Sequence, residues 1–147
     1  MKSIFDTRHH GEIMTRLEQL QPDSPRQWGK MTAAQMVWHC QFPLKLAIKN
    51  EPHKVKGNPL VRWLFKKSMY NDKPWRKNLP TAPGLVAKED KDFMVELPKL
   101  KALIDECHGV KNREEWNPHP LFGTFTREQW GQMQYKHLDH HLRQFGL

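Results

Sequence analysis

Residues 126–147 read TREQWGQMQYKHLDHHLRQFGL, and the fold follows from how that stretch is patterned. Thr126 with Gln129 three residues on is a capping box, so a helix opens here. Trp130, Met133, His137, His141 and Phe145 then recur at three- and four-residue steps, which places them on one helical face. With about 100° per residue, His137 and His141 fall about 20° on either side of Trp130. Two imidazoles therefore sit in the middle of an apolar stripe, with His140 on its flank and Asp139 on the solvent side. A buried ring without hydrogen bonds costs a few kcal/mol, so both need partners.

Working outward, other segments share the helical period. Ile13, Leu17 and Leu20 form the stripe of a helix over about 6–20, ended by Pro22 and Pro25. A second capping box, Thr32 and Gln35, opens a helix that fades near Asn50, with Met36, Cys40, Pro43 and Ala47 on one face. Pro43 removes a backbone hydrogen bond and should bend that helix. A further helix is expected over about 88–107, with Phe93, Leu97, Leu100, Leu103 and Ile104 inward, a kink at Pro98 and Gly109 beyond its end. Strand-like alternation is missing, so the expected class is all-α: a four-helix bundle in a single domain over 1–147.

Residues 51–83 differ. They hold five prolines and eight basic residues against Glu51 and Asp72, a local balance of +6. Most of the net charge of +8 lies in this long basic, Pro-rich crossover between the second and third long helices. Within it, Leu60 to Tyr70 reads as a short extra amphipathic helix, with Val61, Phe65 and Met69 four apart. The remainder is expected to be irregular and mobile.

Composition narrows the class. The 147 residues contain 24 Lys and Arg, 16 Asp and Glu, and 37% apolar residues. No uncharged apolar stretch approaches the roughly 18 residues of a membrane helix. The start, MKSIFDTRHH, lacks the apolar core of an export signal. Two cysteines, Cys40 and Cys107, make no disulfide framework. A cytoplasmic chain with reduced thiols and no membrane association is the expectation.

Nine histidines in this length predict roughly half of one H-x-x-x-H pair by chance, so placement matters more than occurrence. The i, i+4 spacing of His137 and His141 brings two imidazoles within reach of one divalent ion. His39, on the edge of the second helix's apolar face, is the best third ligand. The alternative is three histidines bonded to protein groups with no metal. His9, His10, His53 and His108 are expected at the surface, His119 in a turn, and Cys40 as a core thiol.

The ending HPLFGTFTREQWGQMQYKHLDHHLRQFG, together with WGKMTAAQMVWHC, resembles the DinB-like superfamily of metal-binding four-helix bundles. Within it the chain is similar to an uncharacterised, domain-of-unknown-function branch ending in HLDHHLRQFG. The resemblance implies a divalent metal held by His39, His137 and His141, with Zn or Ni ahead of Mn or Fe. Many superfamily members continue after the second His as Arg-Gly-Gln; here the run is Leu142-Arg143-Gln144. Three neutral imidazoles leave coordination positions open, the layout of a catalytic rather than a closed structural site. The resemblance further implies a homodimer and a metal-dependent transferase in which a small-molecule thiol is activated toward an electrophilic substrate. No catalytic acid or base is identified.

Two other expectations stand beside this one. Trp63, Phe65, Tyr70 and Trp75 interleave with Lys and Arg in 51–83, as a nucleic-acid-binding module for single strands requires. The preferred reading of that segment packs Trp63 and Phe65 on the bundle and leaves the lysines solvated. A metal-stabilised dimeric bundle without catalysis is the other.

Overall fold

The computed structural model describes residues 1–147 except Gly57 and Ala82, and the side chain of Val61 also lies outside the described residues. Among the described residues there are five α-helices and no strand. They are α1 (Thr7–Glu18), α2 (Ala33–Lys49), α3 (Pro59–Lys66), α4 (Phe93–Gly109) and α5 (Arg127–Gln144). A 3-10 turn, Lys67–Met69, continues α3, and another lies at Pro83–Leu85.

Local signals set the helix ends. Asp6 caps α1 by accepting from the His9 amide at 3.0 Å. Both expected capping boxes form, Thr32 with Gln35 and Thr126 with Gln129. Asn50 closes α2 in the left-handed region at φ 49°. The third long helix starts at Phe93, later than the expected start near residue 88. Asp92 accepts from the Met94 amide and caps α4, so 88–92 stay outside the helix, and Gly109 is its last residue. The amphipathic segment 60–70 is α-helical only as far as Lys66, before tightening into the 3-10 turn.

Packing follows the apolar stripes. α2 lies along α4 and also against α5, and α1 contacts both α4 and α5. Ile13, Leu17, Met36, Leu44, Leu100, Ile104, Trp130, Leu138 and Leu142 fill the space between these four helices, each at most 2% exposed. Ile4 is pinned beneath them, its amide donating to Gly131 O at 3.0 Å. Gln134 Nε2 on α5 donates to Pro43 O on α2 at 2.9 Å, tying the two helices that carry the histidines.

The short helix α3 overturns one expectation. Trp63 is 74% exposed and Phe65 53%, so neither packs on the other helices. Leu60 and Leu64 are exposed as well. The cations of segment 51–83 are not all solvated either. Lys66 Nζ donates to Thr124 O and lies over the Phe125 ring, and Lys77 lies 4.8 Å from the centre of the Trp28 ring. No helix among the described residues is long and apolar enough to cross a membrane.

Candidate metal centre

His39 lies near the middle of α2, and His137 and His141 lie in the last two turns of α5. Because α2 packs on α5, the three rings converge, with centroids 4.7 to 5.1 Å apart. One ligand atom from each lies within 4.8 Å of the others, and no other such cluster of metal-ligating side chains occurs among the described residues. His39 Nε2 and His137 Nε2 are 3.1 Å apart. A tetrahedral ion with bonds of 2.0–2.1 Å would hold two nitrogens about 3.3 Å apart. The donor set and spacing therefore fit a divalent cation.

Hydrogen bonds orient two of the rings. His39 Nδ1 is 3.0 Å from Leu85 O; a carbonyl can only accept, so Nδ1 carries the proton and Nε2 keeps its lone pair. His141 Nδ1 is 3.0 Å from Gln144 Oε1, and the Gln144 amide is held the right way round because its Nε2 donates to Trp28 O at 2.9 Å. His141 Nε2 is thereby left as the free donor atom. The third ring lacks such a partner: His137 Nδ1 is sealed from solvent with no hydrogen bond among the described residues, and the residue lines a cavity.

Burial keeps all three neutral. It lowers His39, with a weaker opposing effect from its bond to Leu85 O. It holds His141 down to about 3, and it takes His137 far below the usual imidazole range, helped by repulsion from His141, His39 and His140. A neutral imidazole is the form that binds metal, so no proton has to be displaced near pH 7.

The histidines open into a cavity of about 490 Å3. Phe42, Leu46 and Met133 line it from α2 and α5, and Met69, Trp75, Leu79 and Leu85 line it from the crossover, which in the structure runs on to the start of α4. The crossover is thus part of the site. It supplies both the carbonyl that orients His39 and an aromatic ring, Trp75, 5.9 Å from His137.

A family model described as "Protein of unknown function (DUF1569)" matches residues 4–146. The chain belongs to the DUF1569 family. Comparisons with curated proteins and with solved structures found no match. Every residue of the three-histidine cluster in this DUF1569 chain falls inside the matched region.

The remaining histidines divide. His140, expected on the flank of α5, is half-buried and lines the cavity, edge-on to Trp75 at 5.6 Å and beside His141 at 5.2 Å. His119 is a turn residue, as expected, but a buried one. Its Nδ1 accepts from the Leu121 and Phe122 amides at 3.1 and 3.3 Å, its backbone pairs with Gly123, and burial lowers it to about 4. The expectation of surface positions for His9, His10, His53 and His108 is too simple, since all four are half-buried. His10 meets Asp105 at 2.8 Å and His108 Nδ1 meets Ile4 O at 2.8 Å, so these two link elements together. Cys40 is a core thiol against Met36 Sδ, its pKa raised by burial, and it is not part of the cluster. Gln144 had two sequence signals, its i+3 spacing from His141 and its match to the Gln of the Arg-Gly-Gln run that the resemblance brought in. Leu85 and Trp75 had none, because the crossover has no period to read.

Proposed function

We propose that this chain is a DinB-like four-helix bundle in which His39, His137 and His141 hold a divalent ion, Zn or Ni in first place. The observation that carries this reading is the pair of oriented imidazoles. Leu85 O and Gln144 Oε1 each accept a hydrogen bond from an Nδ1–H and leave the Nε2 lone pairs free beside one cavity. Such oriented rings are the usual support of a metal ligand.

When bound, the ion would lower the pKa of a coordinated thiol and make it nucleophilic near neutrality. The protein's own part is to hold three neutral rings in place, largely buried, and to present them to the cavity. The activity proposed is a thiol transferase. The thiol sulfur forms a bond to an electrophilic carbon, the bond from that carbon to its leaving group breaks, and the thiol proton passes to solvent. Metal content settles the first half of this reading. Purified protein should carry close to one divalent ion per chain, and His137→Ala should lose it. Metal-free protein after growth in supplemented medium, or an unchanged content in the variant, would overturn it.

The exposed face of α3 favours a second reading. Trp63 and Phe65 are exposed on α3, which also carries Arg62, and this interleaving of aromatic and basic residues suits stacking with a single strand. Retention on single-stranded DNA at about 150 mM salt, lost on reversing Lys67, Lys73 and Arg76, would support it. Lys66 and Lys77 are poor choices for that test because both already serve folded contacts. Homodimerisation through the same apolar face is the competing account, and a solution mass with Trp63→Ser separates the two.

A further inference from the structure

The cavity above the three histidines has a chemistry of its own, and it restricts what can enter. Its walls are aromatic and aliphatic: Phe42, Leu46, Trp75, Leu85 and Met133 among them. Among the described residues lining it, none is Asp, Glu, Lys or Arg. Among these described residues the polar groups are the imidazoles, Thr81 and the Trp75 indole N–H, and the last already donates to Ser68 O. Neighbouring cations are committed elsewhere. Lys136 Nζ is tied to Ser68 O at 2.7 Å, Asn71 O at 2.9 Å and Asn71 Oδ1 at 2.6 Å, and Lys45 Nζ donates to Gln41 Oε1 at 3.1 Å.

From this lining we infer that the ligand class is an apolar body bearing a single anionic donor, an alkyl or arylalkyl thiolate, and not a thiol decorated with carboxylates. The inference rests on the metal-site reading above and deepens it. Three neutral imidazoles would leave a divalent ion's charge uncompensated, so one anionic donor atom is favoured at the foot of the cavity. Any further negative charge on the ligand, away from the ion, would lose its hydration against phenyl, indole and methyl groups, with no Lys or Arg among the described lining residues to receive it. At about 490 Å3 the cavity lies within the 300–1,000 Å3 usual for small-molecule sites, so a benzyl or short alkyl group is accommodated. Leu79 and Leu121, 44% and 50% exposed, stand at the edge of the cavity and extend its apolar character to the surface.

The test uses full-length protein loaded with Co(II), whose stoichiometry is measured first. Phenylmethanethiol, 2-butanethiol and mercaptosuccinate are then titrated, following the cobalt absorption spectrum and tryptophan fluorescence. The last two share a four-carbon chain and differ chiefly in the two carboxylates. The first two should bind more than about tenfold tighter than mercaptosuccinate. Leu121→Arg, at an exposed position that folding tolerates, should narrow that gap by strengthening mercaptosuccinate binding alone. Equal or tighter binding of mercaptosuccinate to wild type, or no response to any thiol by stoichiometrically loaded protein, overturns the ligand class while leaving the metal site standing. A protein that takes up no cobalt removes the metal site itself, and the ligand class with it.

Discussion

Gln144 holds His141 by a two-sided amide: Oε1 lies 3.0 Å from the ring's Nδ1, while Nε2 donates to Trp28 O at 2.9 Å. The loop before α2 is thereby coupled to a ring at the end of α5. That loop approaches so closely that a Cβ on Gly29, at φ +78°, would stand 2.5 Å from Gln144 Nε2.

Removing this support should weaken metal binding without unfolding the chain. Gln144→Ala is expected to lower Zn affinity about 10–100-fold. Gly29→Ala should act in the same direction, because the added methyl pushes the amide aside and strains a left-handed backbone. Competition with a chromogenic chelator measures both, and circular dichroism checks the fold. Unaltered affinity in both variants would show that His141 needs no such partner.

The metal-free protein should lose stability in acid. His141 and His119 are held down to about 3 and about 4, and His39 and His137 are also depressed by burial. The unfolded chain takes up these protons near the ordinary imidazole value of about 6.5, where the folded chain does not. Stability from these groups is therefore present above about pH 6.5 and falls as pH drops toward 3–4, each contributing up to about 1.4 kcal/mol per pH unit. Urea unfolding at a series of pH values reads the slope, and His119→Asn should make it shallower.

Lys136 predicts a local effect. It is only 8% exposed, and its ammonium is satisfied by Ser68 and Asn71 rather than by a carboxylate. Burial lowers it to about 8. Lys136→Met leaves those acceptors unpaired and should cost about 1–3 kcal/mol. Faster amide exchange or proteolysis is expected across 67–75, the segment that carries Trp75 to the cavity. Unchanged exchange there would mean that other contacts hold it.

Two substitutions should differ sharply in stability. A Cβ at Gly131 would come within 2.3 Å of Ser3 Oγ and 2.6 Å of the Phe5 ring, so Gly131→Ala is expected to cost about 1–3 kcal/mol. Trp63→Ser, at 74% exposure, should stay within about 0.5 kcal/mol of wild type despite removing an indole. Thermal melts of the pair check both.

Much of this arrangement is local and was readable in the chain. Thr126 with Gln129 and Thr32 with Gln35 start helices through hydrogen bonds spanning three residues, and both boxes form. His137 and His141 share a face because helical spacing imposes it, and the stripe around them is buried as its period requires. Asp92 was harder to anticipate, since an apolar pattern does not say which of several polar residues will cap α4.

What tertiary structure decided lies across chain distances that no period encodes. His39 meets His137 because α2 packs on α5, Leu85 O reaches His39 from an aperiodic crossover, and Gln144 is aimed by a carbonyl near residue 28. The exposure of Trp63 belongs here too, because an amphipathic pattern states that a helix has an apolar face but not that anything covers it. Spacing determines direction within one helix; the meeting of two helices and a loop depends on how their side chains fill a common volume, and that is a property of the folded whole.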